Sequence, residues 1–144
     1  MNRRKFIILS LFTVVSAMVV SLFAVYDFET VVFKMLQHDL AFLKVRESDF
    51  TRFIQEARGS NYWNRIHMDK KKRAFVILYF LLPNVGLPYQ FKYVQLRGLI
   101  VGNFLLSTDF FQNKMNEEAP ITYIALFDPE ITPCQNPFSN LFYS

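Results

Sequence analysis

From Phe6 to Val25 the chain reads FIILSLFTVVSAMVVSLFAV, a run with no charged position, and Arg3, Arg4 and Lys5 stand directly ahead of it. At about 1.5 Å per residue, a helix of that length crosses a hydrocarbon core. Its basic end stays on the cytoplasmic side. Two outcomes fit. The segment is a signal peptide cut after a small residue, for which Val15-Ser16-Ala17 and Leu22-Phe23-Ala24 are imperfect sites, or it is a retained single-span anchor. A buried helix of a cytosolic domain rarely joins a tribasic end to so long an uncharged stretch.

Beyond Val25 the apolar pattern becomes periodic. Phe28, Val31, Val32, Met35, Leu36, Leu40 and Leu43 recur at three- and four-residue steps, which predicts an amphipathic helix over 27–44. Glu29, Lys34, Gln37, His38 and Asp39 fall mostly on the opposite face, and Asp27 or Glu29 suits the positive end of the helix dipole. Ser48 as N-cap, Asp49 in the first turn and Gly59 just past the end delimit a second helix. Its buried face is Phe50, Phe53, Ile54 and Ala57. Ser60 to Asn64, with Tyr62 and Trp63, reads as a connection.

The run AFVILYFLL at 74–82 is too short to span a membrane. It reads as helix, because its neighbours are helical and no partner strand is evident, and Pro83 to Pro88 is a turn. Tyr89 to Leu106 fits a further helix with Tyr93, Leu96, Ile100 and Phe104 on one face; Arg97 and Asn103 argue against a second span. Ser107-Thr108-Asp109 suits the cap of a short helix through Phe110, Phe111 and Met115. Pro120, Pro129, Pro133 and Pro137 then forbid continuous helix. Ile121 to Phe127 reads as a short strand or an extended arm, and the apolar, aromatic tail CQNPFSNLFYS needs a surface to lie on. The expectation is a mostly α chain: an apolar signal or anchor at 1–25, a small helical domain at 26–118, and an extended Pro/aromatic arm at 119–144.

Composition changes this picture in one respect. With 17 Phe, 7 Tyr and 1 Trp in 144 residues, the rings exceed what one small interior readily hides. Some are expected on a surface that a partner covers, the alternative being a well-filled Phe-rich core. The nominated partner-binding residues are Trp63, Phe110, Phe111, Pro137, Phe138 and Phe142. Charge excludes nucleic acid: Arg3, Arg4 and Lys5 supply three of the four net positive charges, leaving the rest near neutrality. The basic run Lys70-Lys71-Lys72-Arg73 reads as a solvated face, with a phospholipid-headgroup contact as the functional alternative.

Candidate chemistry is sparse. Cys134 is the lone thiol, so it forms no intramolecular disulfide and is expected buried or free, the alternative being a pair with another chain. There is no CxxC or CxxCH pair, no HExxH, no Gly-rich phosphate loop and no nucleophile elbow. His38 and His67 read as solvated or capping side chains. Gly98-x-x-x-Gly102 permits close helix approach, but as a single instance it specifies little. No catalytic, metal or cofactor-binding residue is nominated, which points to a non-catalytic chain.

Two resemblances sharpen the expectation. Asn2-Arg3-Arg4-Lys5-Phe6-Ile7 resembles the twin-arginine export signal: Arg3, Arg4 and Phe6 match it, while Asn2, Ile7 and Ile8 depart from it. That route carries folded cargo, often with a prebound cofactor or partner. The chain as a whole resembles the small subunit of glucose–methanol–choline-type flavin dehydrogenases, the gluconate 2-dehydrogenase subunit 3 group. The carrying pieces are Asp39-Leu40-x-x-Leu43-Lys44, Phe50-x-x-Phe53, Leu105 to Phe111, and Asp128-Pro129 with Pro133-Cys134-x-Asn136-Pro137-Phe138. The resemblance implies a non-catalytic subunit on the periplasmic side of the bacterial inner membrane. Such a subunit carries the export signal for a large flavoprotein that has none, and is needed for that partner's maturation or stability. FAD belongs to the partner, no cofactor to this chain, and a cytochrome c often accepts the electrons. The apolar run is greasier than such signals usually are, so anchored and released forms both remain open. The competing expectation is a stand-alone single-span membrane protein whose helical domain binds lipid or another envelope protein.

Overall fold

The computed structural model describes residues 3–128, and among them six helices follow one another: α1 (Arg3–Val25), α2 (Phe28–Asp39), α3 (Glu47–Gly59), α4 (Tyr62–Arg65), α5 (Lys70–Leu81) and α6 (Gln90–Leu106). The mostly α expectation holds. No strand forms among the described residues, only two isolated bridges, Val45 to Ile121 and Thr108 to Tyr123.

Helix α1 stands apart from the rest. The window Arg3–Ser21 is long and apolar enough to cross a membrane, and none of it is buried within the chain. Its hydroxyls are satisfied internally: Ser10 donates to the Ile7 carbonyl at 2.9 Å, Ser16 to Phe12 at 2.7 Å and Ser21 to Met18 at 2.8 Å. Side chains that bond back to their own helix present no unpaired donor to an apolar surrounding.

The other helices close around one core. α2 and α3 run antiparallel, since Gln37 donates to Glu47 at 2.9 Å at one end and Arg58 meets Glu29 at 3.4 Å at the other. α5 runs parallel to α2: the Arg73 guanidinium lies 5.8 Å from the Phe28 ring at their starts, and their ends border a common cavity. α6 returns across both, stacking Tyr93 on Tyr79 at 5.3 Å and delivering Phe104 to Phe50 and Phe53 at 5.0 and 5.3 Å. Phe53 is the hub, with edge-on contacts to Tyr62, Trp63, Phe104 and Tyr123. Such edge-to-face pairs add about 0.5–1.5 kcal/mol each beyond area burial.

The structure moves several boundaries. α2 ends at Asp39, not at 44: the chain turns tightly beyond it, with Leu43 donating to the Leu40 carbonyl at 2.9 Å, and the Lys44 carbonyl accepts the Ile121 amide at 3.1 Å. Leu40 and Leu43 stay buried without being helical. The N-cap of α3 is Arg46, not Ser48: Asp49 is buried and its carboxylate turns back to Arg46 at 3.3 Å. Gly59 is the last residue of α3, and Ser60 closes it by donating to the Glu56 carbonyl at 2.8 Å. The Ser60–Asn64 connection contains α4, entered through Asn61 in the left-handed conformation, φ 55°. The first turn of α5 is the basic run itself, capped by Asp69, whose side chain accepts from the Lys72 amide at 2.9 Å.

No helix follows Ser107-Thr108-Asp109. These three residues receive the arm instead. The Ser107 carbonyl accepts from Ile124, its hydroxyl accepts from Phe127, and the Asp109 carboxylate accepts from Thr122 at 2.8 Å. Ile121 and Tyr123 are buried in the same core cluster as Phe53 and Phe104, so residues 121–123 pack as part of the helical domain.

Candidate functional site

Three features have functional geometry: the exposed helix, a cavity at one end of the bundle, and the latch that holds the arm.

The N-terminal nominees lie on α1. Arg3, Arg4 and Phe6 are exposed, with no partner elsewhere in the described chain. Only Tyr26 and Asp27 separate α1 from α2. Helix α1 is therefore tied tightly to the start of the helical domain, at the end where Phe28, Trp63 and Arg73 meet.

The cavity lies at the opposite end and encloses about 310 Å³. The ends of α2 and α5, the 82–89 turn and the start of α6 form it. Met35, Tyr79, Phe80 and Leu87 supply apolar walls, and His38, Asp39, Gln90, Tyr93 and Arg97 supply a polar edge. Arg97 grips Asp39 through two donors, Nε at 2.6 Å and Nη2. Burial pushes the Asp39 carboxyl up, but bonds from Arg97 and His38 outweigh it and hold it below its ordinary value. The bond from Asp39 likewise raises Arg97, and burial raises the Tyr93 phenol. The result is a notch with a neutralised ion pair at its lip, suited to an apolar side chain or the apolar body of a small molecule.

At the latch, the Tyr123 hydroxyl donates to Glu56 at 2.6 Å, and Arg52 lies over the Tyr123 ring at 5.3 Å. Asp128, buried, pairs with Arg65 of α4 at 2.5 Å. Burial, then the bond to Glu56, raises the Tyr123 phenol well above the usual tyrosine range; burial, then Asp128, does the same to Tyr62.

The nominated partner-binding residues separate. Trp63 is 3 % exposed and belongs to the core, packed edge-on against Phe28 at 5.2 Å, so it presents no docking surface. Phe110 and Phe111 are half-buried in the turn after α6 and touch each other at 5.4 Å. Pro137, Phe138 and Phe142, like Cys134, lie outside the described residues. Beyond α1, the exposed rings among the described residues that the sequence did not single out are Phe42, Tyr89 and Phe91. Phe91 sits two residues before Tyr93, about 200° round the helix, so a careful phase of the α6 stripe places it outward. The Asp39–Arg97 pair was also missed. Asp39 read as part of a polar face and Arg97 as a reason against a span, and 58 positions separate them. Among the described residues no group of three His, Cys, Asp or Glu side chains is placed to hold a metal.

No protein family, curated protein or solved structure matches this chain.

Proposed function

We propose that this chain is the small, non-catalytic subunit of a large FAD-dependent dehydrogenase, exporting, maturing or stabilising that partner from the periplasmic side of the bacterial inner membrane. The observation that carries the reading is the junction of two unlike parts. An Arg-Arg-x-Phe start leads a fully exposed helix of membrane-crossing length, and two residues later a self-contained helical domain begins. A domain delivered or held in this way serves as an escort when it offers a partner something to bind. Phe42, Tyr89, Phe91 and the apolar notch beside Tyr79 are available for that. FAD and the reacting atoms belong to the partner, and a cytochrome c is the expected electron acceptor.

The test is purification of the tagged full chain from membranes, followed by a visible spectrum and identification of co-purifying chains. A flavin spectrum carried by a large partner is expected. A colourless chain, recovered alone from membranes, favours a stand-alone single-span protein instead. Export gives a second readout. Replacing Arg3 and Arg4 with Lys is expected to stop export, because twin-arginine recognition requires guanidinium geometry that an ammonium does not reproduce. Normal export of that variant removes the twin-arginine part of the reading.

A further inference from the structure

We propose that the cavity between the ends of α2 and α5, the 82–89 turn and the start of α6 is a binding site for neutral aromatic molecules of one or two rings that carry a single hydroxyl or carbonyl group. Such a site stands whether or not the chain escorts a flavoprotein, because residues of this chain alone form it. Phe42, Tyr89 and Phe91 are left as exposed rings for a partner.

Two independent observations lead to it. The first is Tyr79. This residue lines the cavity and is only 8 % exposed, yet its hydroxyl has no hydrogen-bond partner among the described residues. Phe75 and Tyr93 lie near-parallel to its ring at 4.3 and 5.3 Å. The faces of the ring are thus taken, and its hydroxyl edge is what remains for the cavity. Polar groups this deep are normally hydrogen-bonded. A phenol can donate one bond and accept another, so a ligand carbonyl or hydroxyl completes it. An apolar side chain from a partner would fill the space and strand the hydroxyl.

The second observation is the rest of the lining. The enclosed volume, about 310 Å³, is roughly twice that of an apolar cavity that admits benzene. The thioether of Met35 and the ring of Phe80 stand on its walls, and both favour a flat aromatic body. Charge selects neutrality. Asp39 and Arg97 are the only Asp, Glu, Lys or Arg on the lining, and they are bonded to each other through two donors. Arg97 also reaches the Tyr93 phenol, and His38 is bonded to Asp39 at 3.1 Å. An ionic ligand therefore finds each opposite charge already paired, whereas a neutral ring displaces no bond.

The experiment uses the full chain in phosphatidylcholine nanodiscs at neutral pH, with isotope-labelled methionine methyl groups observed by NMR. The probes are 2-naphthol, naphthalene and 2-naphthoate, compared at matched free concentrations. With 2-naphthol a saturable shift of the Met35 methyl is expected, while Met68, buried beside Trp63 in the core, stays unmoved. The anion 2-naphthoate is expected to leave Met35 unshifted. Tyr79→Phe keeps the ring stack and is expected to weaken 2-naphthol roughly three- to tenfold while leaving naphthalene unchanged. Leu87→Trp, on the turn rather than in a helix, fills the cavity and is expected to abolish the shift. If Tyr79→Phe weakens neither probe, or both alike, the cavity is a seat for any apolar group, a partner's side chain included, and the proposal fails. A shift that never saturates, that Met68 shares, that 2-naphthoate reproduces or that survives Leu87→Trp overturns it as well.

Discussion

Helix α1 and the ring cluster around Phe53 are both rich in large apolar residues, yet the chain treats them in opposite ways. In α1, Phe6, Leu11, Phe12 and Met18 are each at least 60 % exposed. Phe53, Tyr62 and Phe104 show no exposed surface at all. The difference lies in spacing. The apolar residues of α2 and α3 fall on stripes, so each helix buries one face and wets the other. Those of α1 surround the helix, so no single neighbour from this chain can cover them. A segment that is apolar all round and uncovered by its own fold has the character of a signal or a membrane anchor. The same comparison explains why the aromatic surplus does not by itself mark a docking surface. Many of the rings, Trp63 included, are consumed by edge-to-face packing among α2, α3, α4 and α6.

The largest break in that comparison comes from Phe53→Ala. The ring touches four others and is fully buried, so its removal is expected to cost about 3–5 kcal/mol. Phe12→Ala, of the same chemistry on α1, is expected to change domain stability by less than about 0.5 kcal/mol. Urea unfolding in mild detergent, followed through the emission of Trp63, measures both. An equal loss from Phe12→Ala would show α1 packing on the domain and erase the contrast.

An intermediate effect is expected at the cavity lip. Arg97→Gln removes two charged donors from Asp39, a loss of about 1.5–3 kcal/mol. The lower end applies because Arg97 is about a third exposed and its pairing is screened. The sign with pH follows from the depressed Asp39 carboxyl. The folded state favours the carboxylate, so the contribution is fully present above the ordinary aspartate value of about 3.9 and is lost as pH falls through the lower folded value. Stability measured between pH 3 and 7 should therefore fall more steeply on the acid side for the native chain than for Arg97→Gln. Parallel curves would mean that the pair contributes nothing to the fold.

Long periodic segments were legible before any coordinates. The stripe Val31, Val32, Met35 and Leu36 and the face Phe50, Phe53, Ile54 and Ala57 are buried as their spacing requires. Short elements were not. α4 has four residues, too few for a period to show, so Tyr62 and Trp63 read as loop. Ser107, Thr108 and Asp109 misled for a physical reason. Small oxygen-bearing side chains cap helices and receive extended backbone equally well. Which they do depends on a segment about fifteen positions away. Long-range pairs such as Asp39 with Arg97 and Glu56 with Tyr123 carry no local signature at all, since either partner alone is a common surface residue. Of the candidate site, the exposed helix with its Arg pair was legible, whereas the cavity depends on where α2 and α5 end and α6 begins.

The smallest expected effect sharpens the comparison at the arm. Tyr123 is buried like a core ring, yet it lies in extended chain and ends in a hydroxyl bonded to Glu56. Tyr123→Phe keeps the edge-on contact with Phe53 and removes only that bond. Glu56 can then turn to water, so no buried group is stranded and the loss should be about 1 kcal/mol. Tyr123→Ala removes the ring as well and should approach the cost of Phe53→Ala. The alkaline limb gives a second readout. Burial and the Glu56 bond hold the folded phenol above its ordinary value, so the folded state keeps its proton more tightly than the unfolded one. Stability therefore declines as pH rises past the ordinary tyrosine range of about 10. In Tyr123→Phe that decline should be shallower, with Tyr62 and Tyr93 supplying what remains. If instead Tyr123→Phe costs as much as Tyr123→Ala, the hydroxyl rather than the ring fastens the arm, and the arm is a hydrogen-bonded strap and not an extension of the aromatic core.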